Sequence, residues 1–319
     1  MDADSMLDFY ESWPGLFSPV KPEFKVKRVR KIIATGYGAS LIPLMMLSEL
    51  SEEGLIKILH PGEMPRALEP ETAFLAVSHS GDTIETVNAL VSAKRLGYDC
   101  VSVGGGGILE RKSKDLGIGF IKINTAPTSR LGLPYLLSGI APVVDELLGA
   151  NLTSRLQKMF EDLSKTVSSL GAEAKALAEF ENGSSYVGLY FSNSTESAAY
   201  RLRYVISENA KVHSIFENIM EVVHNGITAW EMTYGLPIFM IRSDLDDDIT
   251  RRRFDLISQA LGALGHRVRS VVVKRDELVS VIFMLDLSTV YLSILRKVNP
   301  FSTQTQAMVR EKIKVGNDQ

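Results

Sequence analysis

Three hydroxyl side chains fall within six residues, at Ser78, Ser80 and Thr83, and Gly81 lies among them. Hydroxyls can donate hydrogen bonds to an anion, and a glycine lets the backbone bend closely around it. A helix is predicted from residue 83 onward, and the unpaired N–H groups at a helix N-terminus attract negative charge. These features predict a phosphate site. The alternative is that Ser80 or Thr83 only caps the helix, since both residue types are favoured caps.

A second glycine-containing loop, with Gly36, Gly38 and Ser40, follows the preceding apolar run. It is placed to close over the same ligand, although a Gly-x-Gly pair alone is a weak signal. The G-x-G-x-x-G pattern of dinucleotide-binding folds is absent, because Gly38 is followed by Ala-Ser-Leu. Nicotinamide chemistry is therefore disfavoured.

Short apolar strands alternate with helices along most of the chain, and this alternation must position both loops. Strands are predicted at residues 29–35, 55–59, 73–77, 100–103, 120–123, 186–191, 238–241 and 268–273. Helices are predicted at residues 41–50, 83–96, 135–148, 195–208, 248–264 and 278–296, and a long connecting helix at 161–180. The pattern predicts an α/β protein of two tandem units, each a mainly parallel sheet with helices on both faces. The phosphate loop then lies at the carboxyl edge of a sheet, where such folds bind ligands.

The composition is that of an ordinary globular protein, with 319 residues, 45% of them hydrophobic and 23% charged. A net charge of −3 and a pI near 6.0 disfavour nucleic acid as a partner. The single Cys100 permits neither an intrachain disulfide nor a cysteine metal cage, which fits a reducing compartment. We find no signal peptide and expect no apolar stretch near the roughly 20 residues of a membrane span, so a cytoplasmic protein without membrane contact is predicted.

Several segments resemble one known family. Residues 78–86 (Ser-His-Ser-Gly-Asp-Thr-Ile-Glu-Thr) resemble the signature of sugar isomerase (SIS) domains, and residues 36–40 resemble the Gly-x-Gly-x-Ser loop of those domains. More narrowly, the chain is similar to the bifunctional phosphoglucose/phosphomannose isomerases, which carry two SIS domains. Four further segments carry this likeness, at residues 126–134, 207–211, 221–225 and 298–303.

The resemblance implies a leader at 1–25, SIS domains at 26–152 and 153–298, and a C-terminal tail at 299–319 that contributes to the active site. It implies interconversion of glucose 6-phosphate, and of mannose 6-phosphate, with fructose 6-phosphate. No metal and no organic cofactor is expected. The substrate phosphate is expected at a set of five residues: Gly38, Ser40, Ser78, Ser80 and Thr83.

Three catalytic roles follow from the resemblance. Glu208 matches the base that moves a proton between C2 and C1 through a cis-enediolate. Arg130 matches the cation that stabilises the enediolate charge. His224 matches the group that moves a proton during ring opening, and the resemblance implies a homodimer in which the partner subunit donates it. Without their motifs, Glu208 and Arg130 would be read as solvated surface charges.

The tail carries two further expected site residues. Thr303 matches a position associated with acceptance of the mannose epimer. Arg310 stands where the family usually has a lysine near the ring oxygen, with Lys312 close by. Arginine keeps the positive charge but not the proton exchange available to lysine. Upstream of His224, Val223 replaces a frequent second histidine, so His224 is the only candidate there.

Two other functions remain open at the level of sequence. A non-catalytic sugar-phosphate sensor would use the same domains, but such regulators need an output module, and the predicted leader is too short for a helix-turn-helix domain. Glucosamine-6-phosphate synthases also carry tandem SIS domains. Those enzymes have an N-terminal glutaminase domain with a nucleophilic cysteine, and this sequence contains neither feature.

Overall fold

The computed structural model describes residues 1–232 and 235–316. Within the last helix, the side chains of residues 310, 311 and 313–316 fall outside that description, and so does the side chain of the predicted site residue Arg310.

The first half begins with two short helices and continues as a five-stranded sheet. Its helices are α1 (Ala3–Glu11), α2 (Trp13–Leu16), α3 (Ile42–Leu50), α4 (Ile84–Leu96), α5 (Gly107–Asp115) and α6 (Leu133–Leu148). Its strands are β1 (Lys31–Thr35), β2 (Ile56–Ile58), β3 (Thr72–Ser78), β4 (Asp99–Gly104) and β5 (Gly119–Lys122). All pairings are parallel, in the order β2-β1-β3-β4-β5. β3 lies at the centre of the sheet, and all seven of its residues are buried, as expected for a strand covered on both faces.

The strand order reverses between β1 and β3. The chain leaves β1 for β2 on one side and then crosses to β3 on the other, so the connections that follow the paired ends of β1 and β3 run in opposite directions and leave a crevice between them. Open α/β sheets bind ligands at such a switch point. The two loops singled out from the sequence follow these two strands, so the topology places both of them at one crevice.

The second half contains a four-stranded sheet. Its helices are α7 (Leu152–Glu181), α8 (Glu196–Val205), α9 (Ile219–Val222), α10 (Asp248–Ala263), α11 (Leu278–Leu295) and α12 (Gln304–Gly316). Its strands are β6 (Tyr186–Phe191), β7 (His213–Asn218), β8 (Pro237–Ser243) and β9 (Arg267–Val273). They pair in parallel in the order β7-β6-β8-β9. The sequence prediction of an α/β protein with two mainly parallel sheets is confirmed.

One buried apolar cluster runs through both halves. It contains the inward faces of both sheets, most of α6 and the apolar sides of α7 and α11. The N-terminal segment joins it through Tyr10 and Trp13, whose ring centroids lie 4.9 Å apart and which are fully buried. Four residues of the segment that was predicted to be a leader therefore belong to the core: Met6, Tyr10, Trp13 and Phe17.

Two helical stretches are long and apolar enough to cross a membrane, at Ser129–Leu148 and Arg275–Leu295, among the residues that were described and searched. The expectation that no stretch approaches this length was wrong. In each stretch, 78% of the apolar window is buried inside the protein. These are core helices of the fold.

Candidate active site

The loop after β3 has the geometry of an anion cradle. Ser78 is buried, its Oγ lies 3.0 Å from Thr83 Oγ1, and it accepts the N–H of Gly81 at 3.1 Å. Gly81 has φ +77°, and a β-carbon there would collide with the carbonyl group of Gly106, so this turn requires glycine. Thr83 precedes α4, but its hydroxyl does not cap the helix. The capping alternative therefore does not account for Thr83.

The carboxylate of Asp82, which lies in this loop, accepts a hydrogen bond from the N-terminus of another helix, α5. Its Oδ1 accepts the N–H of Ile108 at 3.1 Å, at the start of α5. The exposed Ser80 accepts the N–H of Asp82 at 3.2 Å and keeps its own proton available for donation. A carboxylate held at a helix N-terminus is partly neutralised, which makes an aspartate compatible with a neighbouring anion.

The loop after β1 is tied to the first loop. Gly38 has φ +54° and opens the 3₁₀ turn Gly38–Ser40. Ser40 is buried, and its Oγ accepts the N–H of His79 at 2.9 Å. All five predicted phosphate-binding residues thus lie in two loops that touch at the switch point between β1 and β3.

His79 extends this connection to a third loop, at residues 126–134. Its Nε2 accepts the N–H of Ala126 at 3.1 Å, and its ring packs so closely on Gly132 that a β-carbon there would collide with it. Burial lowers the pKa of His79, in keeping with an unprotonated Nε2 that accepts a hydrogen bond. No role for His79 was predicted from the sequence. In the structure, its ring holds the loop that carries Arg130 against the anion cradle.

The guanidinium of Arg130 is buried and has three different acceptors. Nε donates to Asn209 Oδ1 at 2.7 Å, Nη1 to Glu208 Oε2 at 2.6 Å and Nη2 to the carbonyl oxygen of Pro300 at 2.6 Å. These acceptors come from two separate parts of the chain, the turn with Glu208 and Asn209 in the second half and Pro300 in the tail. The structure therefore brings together Arg130, Glu208 and the tail.

Glu208 lies on a π-helical turn, Ile206–Ala210, that ends α8. Such turns are rare and often occur at functional sites. The side chain of Glu208 is 30% exposed, so it can reach a ligand while it pairs with Arg130.

Lys211 follows that turn with φ +59°, a conformation that is uncommon for a residue with a side chain. Its ammonium group donates to the carbonyl oxygens of Glu208 and Ser302, the second at 2.7 Å. Burial, with a further contribution from the charge of Arg130, lowers the pKa of Lys211. Lys211 therefore binds the tail to the turn that carries Glu208. This contact was not predicted from the sequence.

Of the two tail residues predicted from sequence, only one can be placed. Thr303 is half-buried, directly after the clamped Ser302, and its carbonyl oxygen accepts the N–H of Ala307 at the start of α12. Arg310 lies on α12, and its side chain is outside the described residues. Lys312, on the same helix, is exposed.

His224 is not brought into contact with these groups. It lies on the exposed segment after α9, and its N–H donates to the carbonyl oxygen of Glu221 at 2.9 Å. Within residues 1–232 and 235–316, its imidazole makes no hydrogen bond or ion pair with another residue of the chain.

A buried ion pair supports the backbone of the Arg130 loop. Arg201 and Asp286 are 1% and 0% exposed and approach to 2.5 Å. Burial alone would lower the pKa of Arg201, but the adjacent Asp286 carboxylate outweighs burial and holds that pKa above its usual value. Arg201 also donates to the carbonyl oxygen of Arg130, and Tyr10 donates to Asp286 at 3.1 Å. Asp286 is the one charged residue in residues 278–295, and a single charge in such an apolar run was the feature of the sequence that could have indicated a buried ion pair.

The second sheet has an equivalent switch point, between β6 and β8, with different chemistry. There Glu49, which comes from the first half, accepts the N–H and the hydroxyl of Ser197 at 2.6 and 2.5 Å at the start of α8. Burial raises the pKa of Glu49 to about 8. An open cavity of about 390 Å³ is lined by Glu49, Glu53 and Glu196. Three carboxyl groups thus line this cavity together with serines and Arg275, and a phosphate is favoured less here than at the first crevice, where hydroxyls predominate.

No group of three or more histidine, cysteine, aspartate or glutamate side chains is placed to hold a metal ion among the residues that the structure describes. The polar side chains at the first crevice are hydroxyls, the guanidinium of Arg130 and the carboxylates of Asp82 and Glu208. Such groups bind and reprotonate an oxygen-rich ligand.

Comparison with known proteins agrees with this arrangement. Residues 170–313 match the family described as the bacterial phospho-glucose isomerase C-terminal SIS domain. A bifunctional phosphoglucose/phosphomannose isomerase from Thermoplasma volcanium is 27% identical over 87% of this chain and 89% of its own length. A D-glucosamine-6-phosphate 4-epimerase from Sulfolobus acidocaldarius is 25% identical over 77% of this chain and 80% of its own length.

The fold itself is shared with solved structures. The crystal structure of a hypothetical protein from Thermus thermophilus superposes with a TM-score of 0.70, covers 97% of this chain and 88% of its own, and is 15% identical. The family resemblance inferred from the motifs is confirmed. Most of the chain is thus similar to phosphosugar isomerases of the sugar isomerase (SIS) family, and its residues 170–313 match the C-terminal SIS domain of the bacterial phospho-glucose isomerase type.

Proposed function

We propose that this protein is an aldose–ketose isomerase that interconverts glucose 6-phosphate, and also mannose 6-phosphate, with fructose 6-phosphate through a cis-enediolate. The observation that carries the proposal is the Arg130–Glu208 pair at 2.6 Å, fixed next to an anion cradle of hydroxyl groups. The names of the Thermoplasma relative and of the matched family support the same reaction.

The phosphate is bound at the crevice between β1 and β3. In this proposal Ser40, Ser78, Ser80 and Thr83 donate hydroxyl hydrogen bonds, and the N-terminus of α4 supplies positive potential. Gly38 lets the backbone of the second loop approach the ligand. The phosphate holds the substrate while the chemistry takes place at the opposite end of the sugar.

Glu208 removes the proton from C2 and returns it to C1 on the same face of the enediolate. Arg130 stabilises the charge that develops on the enediolate oxygens, because its guanidinium stays protonated and is already oriented by protein acceptors. The substrate then takes over part of the interaction that Glu208 makes with Arg130 in the free protein.

Ring opening needs a second proton carrier, and we assign it to His224 of the partner subunit in a homodimer. The exposed imidazole is accessible to a second chain. We further propose that Thr303 contacts the C2–C3 region and admits the mannose epimer, and that Arg310, whose side chain lies outside the described residues, supplies a cation near the ring oxygen. The proposed domain bounds remain 26–152 and 153–298, and the proposed compartment is the cytoplasm.

The test is isomerisation of fructose 6-phosphate by the purified protein in D₂O. A cis-enediolate mechanism places solvent deuterium on C1 or C2 of the product, which NMR detects. Glu208→Gln keeps the shape of the base and is expected to lower kcat by about 10²–10⁴-fold while the KM changes little. Glu179→Gln makes the same chemical change at an exposed position on α7 and is expected to behave as wild type. Comparable rates in both variants would move the base elsewhere.

A second candidate is isomerisation or epimerisation of an amino-sugar phosphate, which the likeness to the Sulfolobus epimerase favours. Glucosamine 6-phosphate assayed in parallel separates the two, because turnover of this compound without turnover of fructose 6-phosphate would replace the first proposal. Binding of both compounds with turnover of neither would favour a non-catalytic sensor.

A further inference from the structure

One turn of α11 carries three buried polar residues, Asp286, Ser288 and Thr289, in a helix that is otherwise mostly apolar. Asp286 and Thr289 are both 0% exposed. Because they are three residues apart, they lie on the same face of the helix. Buried polar groups are costly unless they are hydrogen-bonded, so this pair needs a structural explanation.

Asp286 supports the backbone of Arg130. Its carboxylate accepts from Arg201 Nη2 at 2.5 Å and from Arg201 Nε at 2.9 Å, and Arg201 Nη2 also donates to the carbonyl oxygen of Arg130. The ion pair is therefore shared with the main chain of the loop that carries the guanidinium.

Thr289 supports the side chain of Arg130. Its Oγ1 donates to the carbonyl oxygen of Asp286 at 2.7 Å and accepts from Asn209 Nδ2 at 2.9 Å. The amide of Asn209 is thereby oriented so that Oδ1 accepts from Arg130 Nε at 2.7 Å. The hydrogen bonds of Asp286 and those of Thr289 thus start from one helical turn. The first set reaches the main chain of Arg130, and the second set reaches its guanidinium.

We propose that Asp286 and Thr289 are positioning residues for Arg130, and this inference rests on the proposed isomerase function. An unsupported arginine has many side-chain conformations, and each conformer places the guanidinium at a different point. The hydrogen bonds from this turn hold Arg130 in the conformer whose guanidinium faces Glu208. These hydrogen bonds involve no residue of the phosphate cradle. Loss of this support lowers catalysis more than it lowers substrate binding.

The test uses Thr289→Val, which keeps the shape of the side chain and removes the hydroxyl. Ser293→Ala is the matched control, because Ser293 is 0% exposed on the same helix and its hydroxyl donates only to the carbonyl oxygen of Val290. Thr289→Ser restores the hydroxyl. We expect Thr289→Val to lower kcat about 10- to 100-fold with a KM within about threefold of wild type, and Thr289→Ser to recover most of the rate.

Thr289→Val should lower the unfolding midpoint more than Ser293→Ala does, because it also leaves Asn209 Nδ2 without an acceptor. If the role of Thr289 is purely structural, the two variants should nevertheless have equal rates at a temperature at which both are folded. Equal rates would overturn the inference. A second measurement is independent of turnover: a double-mutant cycle in urea with Arg130→Met and Thr289→Val. If the wild type has no isomerase activity, the proposed function fails. The double-mutant cycle then still tests whether Thr289 and Arg130 are energetically coupled. Non-additive midpoints support the coupling, and additive midpoints refute it.

Discussion

Glu181 at the end of α7 provides a quantitative prediction about stability. The residue is 2% exposed, and neither carboxylate oxygen finds a hydrogen-bond partner among the described residues. Burial raises the pKa of Glu181 from its ordinary value of 4.5 to about 8. The carboxyl group is therefore neutral in the folded protein at pH 7 and ionised in the unfolded chain.

The sign of the effect follows from proton binding. Between pH 4.5 and 8 the folded state holds a proton that the unfolded state has lost, so the free energy of unfolding falls as the pH rises. The loss is about 1.4 kcal/mol per pH unit. It amounts to about 3 kcal/mol by pH 7 relative to pH 4.5, somewhat less than 2.5 units of that slope, because the unfolded chain is still half protonated at pH 4.5.

Glu181→Gln keeps the shape of the neutral acid but cannot ionise. Its advantage over wild type should therefore grow by about 3 kcal/mol between pH 5 and pH 7.5, measured by urea unfolding at a series of pH values. The contributions of other titrating groups, Glu49 among them, cancel in the difference between the two proteins. Glu179→Gln on the same helix is exposed and should follow the wild-type curve. Parallel curves for wild type and Glu181→Gln would refute the reasoning.

Three further predictions concern the first half. Gly81→Ala should abolish saturable binding of fructose 6-phosphate in calorimetry, because the β-carbon collides with Gly106 and φ +77° strains alanine. Asp82→Asn keeps an acceptor for the N–H of Ile108 and removes a negative charge near the proposed phosphate, so the KM should fall about fivefold with kcat unchanged. A higher KM would contradict this. Burial raises the pKa of Cys100 to about 12, so a thiol reagent at pH 8 should label it far more slowly than the unfolded chain.

The apolar strands were predictable because β3, β6 and β8 are buried on both faces and appear in the sequence as continuous apolar runs. The edge strand β7 was missed, since His213–Asn218 is half-exposed and mixes polar with apolar residues. The helix α1 was missed for a different reason. Its two buried residues are Met6 and Tyr10, and the hydroxyl of Tyr10 finds its partner, Asp286, 276 residues further along the chain, which no local pattern records.

The two loops at the first crevice were found from sequence because hydroxyls, glycines and the start of a helix lie within a few residues of one another. The contacts of Arg130 were not predictable in this way. Its acceptors lie 78, 79 and 170 residues further along the chain. The family motifs named Arg130 and Glu208 separately, and only the folded chain shows them as a pair. The supporting hydrogen bond between Asn209 and Thr289 joins residues 80 positions apart, so no local sequence pattern predicts it.

The contact between His79 and Ala126 has a consequence for motion. It joins the loop that would hold the phosphate to the loop that carries Arg130, and both loops belong to the first half. Glu208 belongs to the second half and reaches this unit through the guanidinium. A rocking of one half against the other would therefore leave the separation between phosphate and arginine constant. It would displace the carboxylate of Glu208, whose distance from the phosphate loop therefore depends on how the two halves pack together.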